Sequence, residues 1–238
     1  MSKLIVALDT DDLKVAEQLI DRLAPIVKIF KVGSQLFTAC GPGILQLIRQ
    51  KGSGAFLDLK FHDIPNTVSH AVEAACRYNP LMLTVHTLGG SRMLRAAKEA
   101  RDHSGAGTKI LGVTILTSLD KGQLEEIGLS ASVNEEVLCL AQMAHAAGLD
   151  GVVASPQEIS ILRRSFGEDF IIVTPGIRPA RPEYNKAGGP AAPMADDQRR
   201  TMQAKEAVSA GADYLVVGRP ITRAPDPYAA AKKIIAEM

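Results

Sequence analysis

The chain has 238 residues, 46% of them hydrophobic, which suits one α/β domain with a sizeable core. Its 27 Lys and Arg nearly cancel 26 Asp and Glu, a net of +1 that argues against a nucleic-acid binder or a polybasic membrane protein. The N-terminal MSKLIVALDT lacks the layout of a signal peptide, and no apolar run approaches the roughly 20 residues of a membrane span, so a soluble cytoplasmic protein is expected.

Short apolar runs alternate with amphipathic stretches along the whole chain. Leu4–Leu8 reads as a strand, followed by a helix whose apolar stripe is Leu13, Ala16, Leu19, Ile20 and Leu23, with Asp11 or Asp12 as its cap. Strands are then expected at Ile29–Val32, Ala55–Leu59, Met82–Val85, Ile110–Ile115, Gly151–Ala154, Phe170–Val173 and Tyr214–Val217. Helical patterns lie between them at Ile44–Gln50, Thr67–Arg77, Met93–His103, Asn134–Ala147, Pro156–Ser165 and Lys205–Ala210, and Pro227–Glu237 closes the chain. The strands are rich in Val, Ile and Leu on both faces, as in a covered parallel sheet. The three cysteines, Cys40, Cys76 and Cys139, are odd in number and far apart, and read as free core residues in a reducing compartment.

Eight strand–helix units without a break in composition imply a single-domain α/β fold, a (β/α)8 TIM barrel, with an open doubly wound sheet as the alternative. The irregular segment at about 178–200 contains AGGPAAP and follows the seventh strand. It reads as a lid over the face where barrel active sites lie, the other reading being disorder.

Polar residues mark where the strands end. Asp9 follows the first strand, Lys31 ends the second, Asp58 and Lys60 end the third, and His62 and Asp63 lie just beyond. His86 ends the fourth, Thr117 and Ser118 follow the fifth, and Gly218 and Arg219 follow the eighth. In a barrel all these ends share one mouth. Strand periodicity places Asp58 and Lys60 on one face, with Lys31 a strand away. Gly218 and Arg219, beside a helix start near Pro220 or Pro227, suit a phosphate dianion. No Walker pattern or GxGxxG occurs, so no nucleotide cofactor is indicated.

The stretch FLDLKFHDIPNT (Phe56–Thr67) closely resembles the signature of the orotidine 5'-monophosphate decarboxylase family, bacterial type. VALDT (Val6–Thr10), KVG (Lys31–Gly33), VTILTS (Val113–Ser118), DGVVAS (Asp150–Ser155), TPGIRP (Thr174–Pro179), DQRR (Asp197–Arg200) and VGRPI (Val217–Ile221) extend the resemblance over the whole chain. It implies decarboxylation of orotidine 5'-monophosphate to uridine 5'-monophosphate by a homodimer, with no cofactor and no metal. Lys60 would be the general acid that protonates C6, in a charged network with Asp58, Lys31 and the partner subunit's Asp63. Asp9 and Lys31 would hold ribose hydroxyls, with the partner's Thr67 contributing. Thr117 with Ser118 would lie near the pyrimidine, while Arg178, Gln198, Gly218 and Arg219 would grip the phosphate and carry the lid. The run ARPEYNKAGGPAAPMAD is longer than the common bacterial form.

Loss of CO2 from C6 leaves an electron pair in the ring plane, where the π system cannot spread it. Without an electron sink the protein must answer with fixed charge, and a lysine aimed at C6 does so directly. Flanking carboxylates favour the cationic form of that lysine. Two rival readings remain. One is a metal-dependent relative acting on a sugar phosphate, with His62, His86 and Asp58 as ligands. The other is a catalytically silent nucleotide-binding or scaffold protein, which would be expected to have a degraded charge network.

Overall fold

Eight parallel strands close on themselves in sequence order. They are β1 (Leu4–Ala7), β2 (Ile29–Gly33), β3 (Gly54–Phe61), β4 (Met82–His86), β5 (Lys109–Val113), β6 (Gly151–Val153), β7 (Ile171–Thr174) and β8 (Tyr214–Val217). The last pairs back onto the first, Val216 against Ile5, so the fold is a (β/α)8 barrel and not an open sheet. The structure is a computed structural model that describes residues 3–178 and 200–238. Apart from its end residues Arg178 and Arg200, the segment expected as a lid, Gln198 included, lies outside the described residues.

Burial on both faces explains why the strands lack a simple polar–apolar alternation. Ile5, Ala7, Ile29, Phe56, Met82, Leu111, Val173 and Val216 form one apolar cluster inside the barrel. The alternate residues, Leu4, Val6, Phe30, Val32 and Leu57 among them, pack outward against the helices. Paired residues share a face, and the register carries the inward set to the C-terminal ends of the strands. Ala7 pairs with Lys31, Lys31 with Phe56, Gly33 with Asp58, Thr84 with Leu111, and His86 with Val113. Lys31, Asp58, Thr84 and His86 therefore continue the interior column into the mouth.

The helix Leu13–Leu23 buries Ala16, Ile20 and Leu23, and of the two candidate caps it uses Asp12, which accepts from the amides of Lys14 and Val15. Two helices escape the periodicity of the sequence, Ser34–Cys40 and Lys121–Glu126. Each has two turns or fewer, too short to show a stripe. The second is instead defined locally by a capping box between Asp120 and Gln123. The cysteines differ from expectation: Cys76 is buried, Cys40 is half-buried, and Cys139 points outward from the helix Val133–Ala146.

The end opposite the mouth is tied by ion pairs. Asp150, just before β6, accepts from the Ile110 amide at 2.8 Å and pairs with Arg101 at 3.0 Å. Asp213, just before β8, accepts from the Ile172 amide at 2.8 Å and pairs with Arg163 at 2.7 Å. Each aspartate thus locks a strand start to its neighbour, with an arginine from a surrounding helix as counter-ion. Among the described residues no helix is long and apolar enough to cross a membrane.

Candidate functional site

Four charges from the first three strands meet at the mouth in alternating order. Lys60 Nζ lies 2.8 Å from Asp58 Oδ1, Lys31 Nζ lies 3.7 Å from Asp58 Oδ2, and Lys31 Nζ lies 3.2 Å from Asp9 Oδ1. Burial opposes ionisation of Asp58, but the ammonium groups of Lys31 and Lys60 outweigh it, aided by hydrogen bonds from Lys60 and Thr84, and hold its carboxyl below the ordinary range. Two glycines make the space. A Cβ at Gly33 would stand 3.0 Å from Lys31 Nζ, and one at Gly218 would stand 3.1 Å from Asp9 Oδ2.

Asp58 and Lys60 come together as the sequence implies, but not through a regular pleat. The β3–β4 ladder slips between Leu57 and Phe61, so that Leu57 faces Leu83 while Phe61 faces Val85. Within the slip Lys60 adopts a left-handed backbone, φ 52°. Its amide donates to the Thr84 hydroxyl at 2.9 Å, and that hydroxyl donates to Asp58 Oδ1 at 3.1 Å. Thr84 is fully buried and was not picked out from the sequence. Its signal was there: a polar residue of inward parity in the apolar strand MLTVH.

A cavity of about 180 Å³ opens beside the network, lined by Asp9, Lys31, Asp58, Arg178, Gly218 and Arg219 among others. The arginines follow β7 and β8, across the closed barrel from β3 and β4, so the cavity has an acid–lysine side and an arginine side. The helix starts expected at the phosphate end are less available than the sequence suggests. The one at Pro220 belongs to a four-residue helix, Arg219–Thr222. The helix Pro227–Glu237 is already capped by Asp226, which accepts from Tyr228 and Ala229 and pairs with Arg22. Arg178, Arg219 and Gly218 are the groups of the expected phosphate grip that line the cavity.

The other candidates are placed as follows. Thr117 is half-buried and Ser118 exposed, both on the loop after β5. Asp63 and Thr67 are exposed, and Asp63 Oδ1 accepts from the Ile64 amide at 2.6 Å, not from Lys60 of its own chain. His62 and His86 stack with ring centroids 5.3 Å apart. Burial foremost, with the nearby His62 and Lys60, lowers the His86 pKa to about 4, and its Nδ1 accepts from the Leu88 amide at 3.4 Å. Among the described residues no three His, Cys, Asp or Glu side chains are grouped to hold a metal ion, so the ligand set of the sugar-phosphate reading does not assemble. A second buried pair, also missed, joins Arg200 Nη1 to Glu158 Oε1 at 2.5 Å, while Arg200 Nη2 donates to the Leu116 carbonyl at 3.1 Å.

Comparison with known proteins identifies the family. The model of the orotidine 5'-phosphate decarboxylase / HUMPS family matches residues 2–234. An orotidine 5'-phosphate decarboxylase of Syntrophotalea carbinolica is 50% identical, covering 99% of this chain and 94% of the relative. One of Moorella thermoacetica is 49% identical, covering 99% and 92%. The crystal structure of orotidine 5'-phosphate decarboxylase from Lactobacillus acidophilus superposes with a TM-score of 0.83 at 37% identity, covering 98% of this chain and 97% of that one. With its whole length matched and its barrel shared, the chain belongs to the orotidine 5'-phosphate decarboxylase / HUMPS family.

Proposed function

We propose that the chain converts orotidine 5'-monophosphate to uridine 5'-monophosphate and CO2, with the Lys60 ammonium delivering the proton to C6. This reaction is the last step of de novo UMP synthesis. The family supplies the reaction class. The observation that carries the role of Lys60 is its 2.8 Å contact with Asp58, which lines the same cavity as Arg178 and Arg219. A nucleotide lying across that cavity would put its phosphate on the arginines and its base toward the lysine.

The C6–carboxylate bond breaks, CO2 departs, and the electron pair stays on C6. Lys60 gives that carbon its proton and is later recharged from solvent. Fixed charges do the work an electron sink would otherwise do, and they need no reorganisation as the carbanion forms. Two unit charges about 4 Å apart attract by roughly 4 kcal/mol at an effective dielectric near 20, so displacing one member of the network is costly. With the base so placed, Asp58 would also face the departing carboxylate, but repulsion in the ground state ranks below stabilisation of the transition state. Grip on the remote phosphate adds binding energy that aligns the base.

The working unit in this reading is a homodimer in which Asp63 and Thr67 serve the partner's site. Asp63 does not join the charged network of its own chain. Beside it Ile64 is 66% exposed and Leu88 40%, an apolar rim that a second copy would cover. The fall in ultraviolet absorbance as orotidine 5'-monophosphate is consumed tests the whole reading. Lys60→Ala should fold and bind uridine 5'-monophosphate yet lose turnover. Near-normal turnover in that variant would reject the role, and a flat trace from the unmodified chain would favour the silent rival.

A further inference from the structure

We infer that Thr84 is a positioning residue for the decarboxylation, acting through the backbone of Lys60 and the carboxylate of Asp58. The inference rests on the role given to Lys60 above.

A hydroxyl has one proton to donate and lone pairs to accept with. At Thr84 both capacities are used by the acid–lysine pair: Oγ1 accepts from the Lys60 amide at 2.9 Å and donates to Asp58 Oδ1 at 3.1 Å. The direction is forced. An amide can only donate and an ionised carboxylate can only accept, so the threonine proton must point at Asp58. Asp58 Oδ1 then receives the hydroxyl and Lys60 Nζ together, which turns Oδ2 toward Lys31.

The backbone makes this contact more than decoration. Where β3 slips past β4, the Lys60 amide loses its place in the strand ladder, and this half-buried amide finds its partner in Thr84 instead. Lys60 is also one of only two non-glycine residues with positive φ among the described residues. Such a conformation persists where its surroundings over-determine it. Thr84 supplies that determination from β4, at a point with no exposure to solvent. The strain thus aims the lysine side chain, and the hydroxyl holds the strain in place.

Thr84→Val keeps the shape and removes the hydroxyl, and Thr84→Ala removes it with less bulk should valine hinder folding. Thr84→Ser keeps it. In the absorbance assay kcat should fall by about 10- to 100-fold in the Val and Ala variants, the scale of a mispositioned catalytic group. KM and the Kd for uridine 5'-monophosphate should stay within about threefold, because the hydroxyl aligns groups and does not carry the phosphate grip. The serine variant should recover most of kcat. The acid limb of the kcat–pH profile should move to higher pH in the Val and Ala variants and not in Ser, since Asp58 loses a donor there. Unchanged kcat in Val and Ala, or a serine variant as poor as alanine, would overturn the inference. So would a loss confined to KM. Lys60→Ala, assayed alongside, separates the two claims: its near-normal turnover would sink the role of Lys60, whereas its inactivity beside an unimpaired Thr84→Val would sink this inference alone.

Discussion

The Lys31 ammonium lies over Gly33, 3.0 Å from where a side-chain carbon there would stand. Lys31 and Gly33 are two apart on β2 and share the inward face, so the lysine folds back over a residue that has nothing to push it away. Its reach to both Asp9 and Asp58 depends on that vacancy.

Gly33→Ala should therefore spare the fold and damage the site. Gly33 has an ordinary extended backbone, φ −93°, so alanine brings no strain, and the end of a flexible side chain can move aside. The melting temperature should change by less than about 3 °C, within the range of mild substitutions. The value of kcat/KM should drop by about tenfold or more as Lys31 leaves its two carboxylates. Thermal melts and steady-state kinetics on one preparation check both, and a variant with full activity would show that the fit of Lys31 over Gly33 is unimportant.

His86 should titrate near 4 in the folded protein, against an ordinary value of 6.5, because burial first, then His62 and Lys60, disfavour its cation. Between those values the unfolded chain binds a proton that the native one refuses. His86 thus draws down stability as pH falls from 6.5 toward 4 and contributes nothing above that window. The C2-proton resonance of His86, followed by NMR against pH, gives the midpoint directly. His62→Ala should raise it, and a midpoint near 6.5 in the unmodified protein would contradict the burial.

Arg101→Ala should lower stability by about 2 kcal/mol and leave kcat within about twofold, since its partners lie at the barrel end away from the mouth. Burial opposes the charge on Asp150, but Lys109, the Ile110 amide and Arg101 outweigh it and hold the carboxyl below 3.8. Its stabilising contribution is accordingly complete above 3.8 and lost as pH falls through the lower folded value. Denaturant melts of wild type and variant should differ at pH 7 and converge at strongly acidic pH. A gap that widened with acid would contradict the sign.

Mixing two inactive chains tests the shared site. Lys60→Ala and Asp63→Ala homodimers each carry two broken sites, but a mixed dimer holds one site with both residues altered and one intact. After exchange of subunits, activity should recover to about a quarter of the wild-type value, the statistical share of intact sites. The absorbance assay reads it, and no recovery despite exchange confirmed by mass would place Asp63 in its own chain's site, whereas an Asp63→Ala homodimer with full activity would remove it from the site altogether.

Much of this was legible in the sequence because it is written in local rules. The eight strands follow from short Val, Ile and Leu runs, and Asp12 from its place before an apolar stripe. The short helices Ser34–Cys40 and Lys121–Glu126 were not, because two turns cannot display a period of 3.6. Thr84 escaped for a different reason: a threonine is ordinary in a strand, and only its neighbours make it unusual. The same holds for Glu158 and Arg200, 42 residues apart in the chain and joined in space.

By itself the sequence determined the order of strands and helices, the charged residues at the strand ends and the family they resemble. Those depend on periodicity and residue type, which a single chain displays openly. Only the tertiary structure decided that Lys60 sits in a left-handed kink held by Thr84, that Lys31 folds over Gly33, and that Asp63 stays outside its own chain's network. These are relations between strands, set by register and barrel closure, and no local pattern encodes the angle at which one strand meets the next.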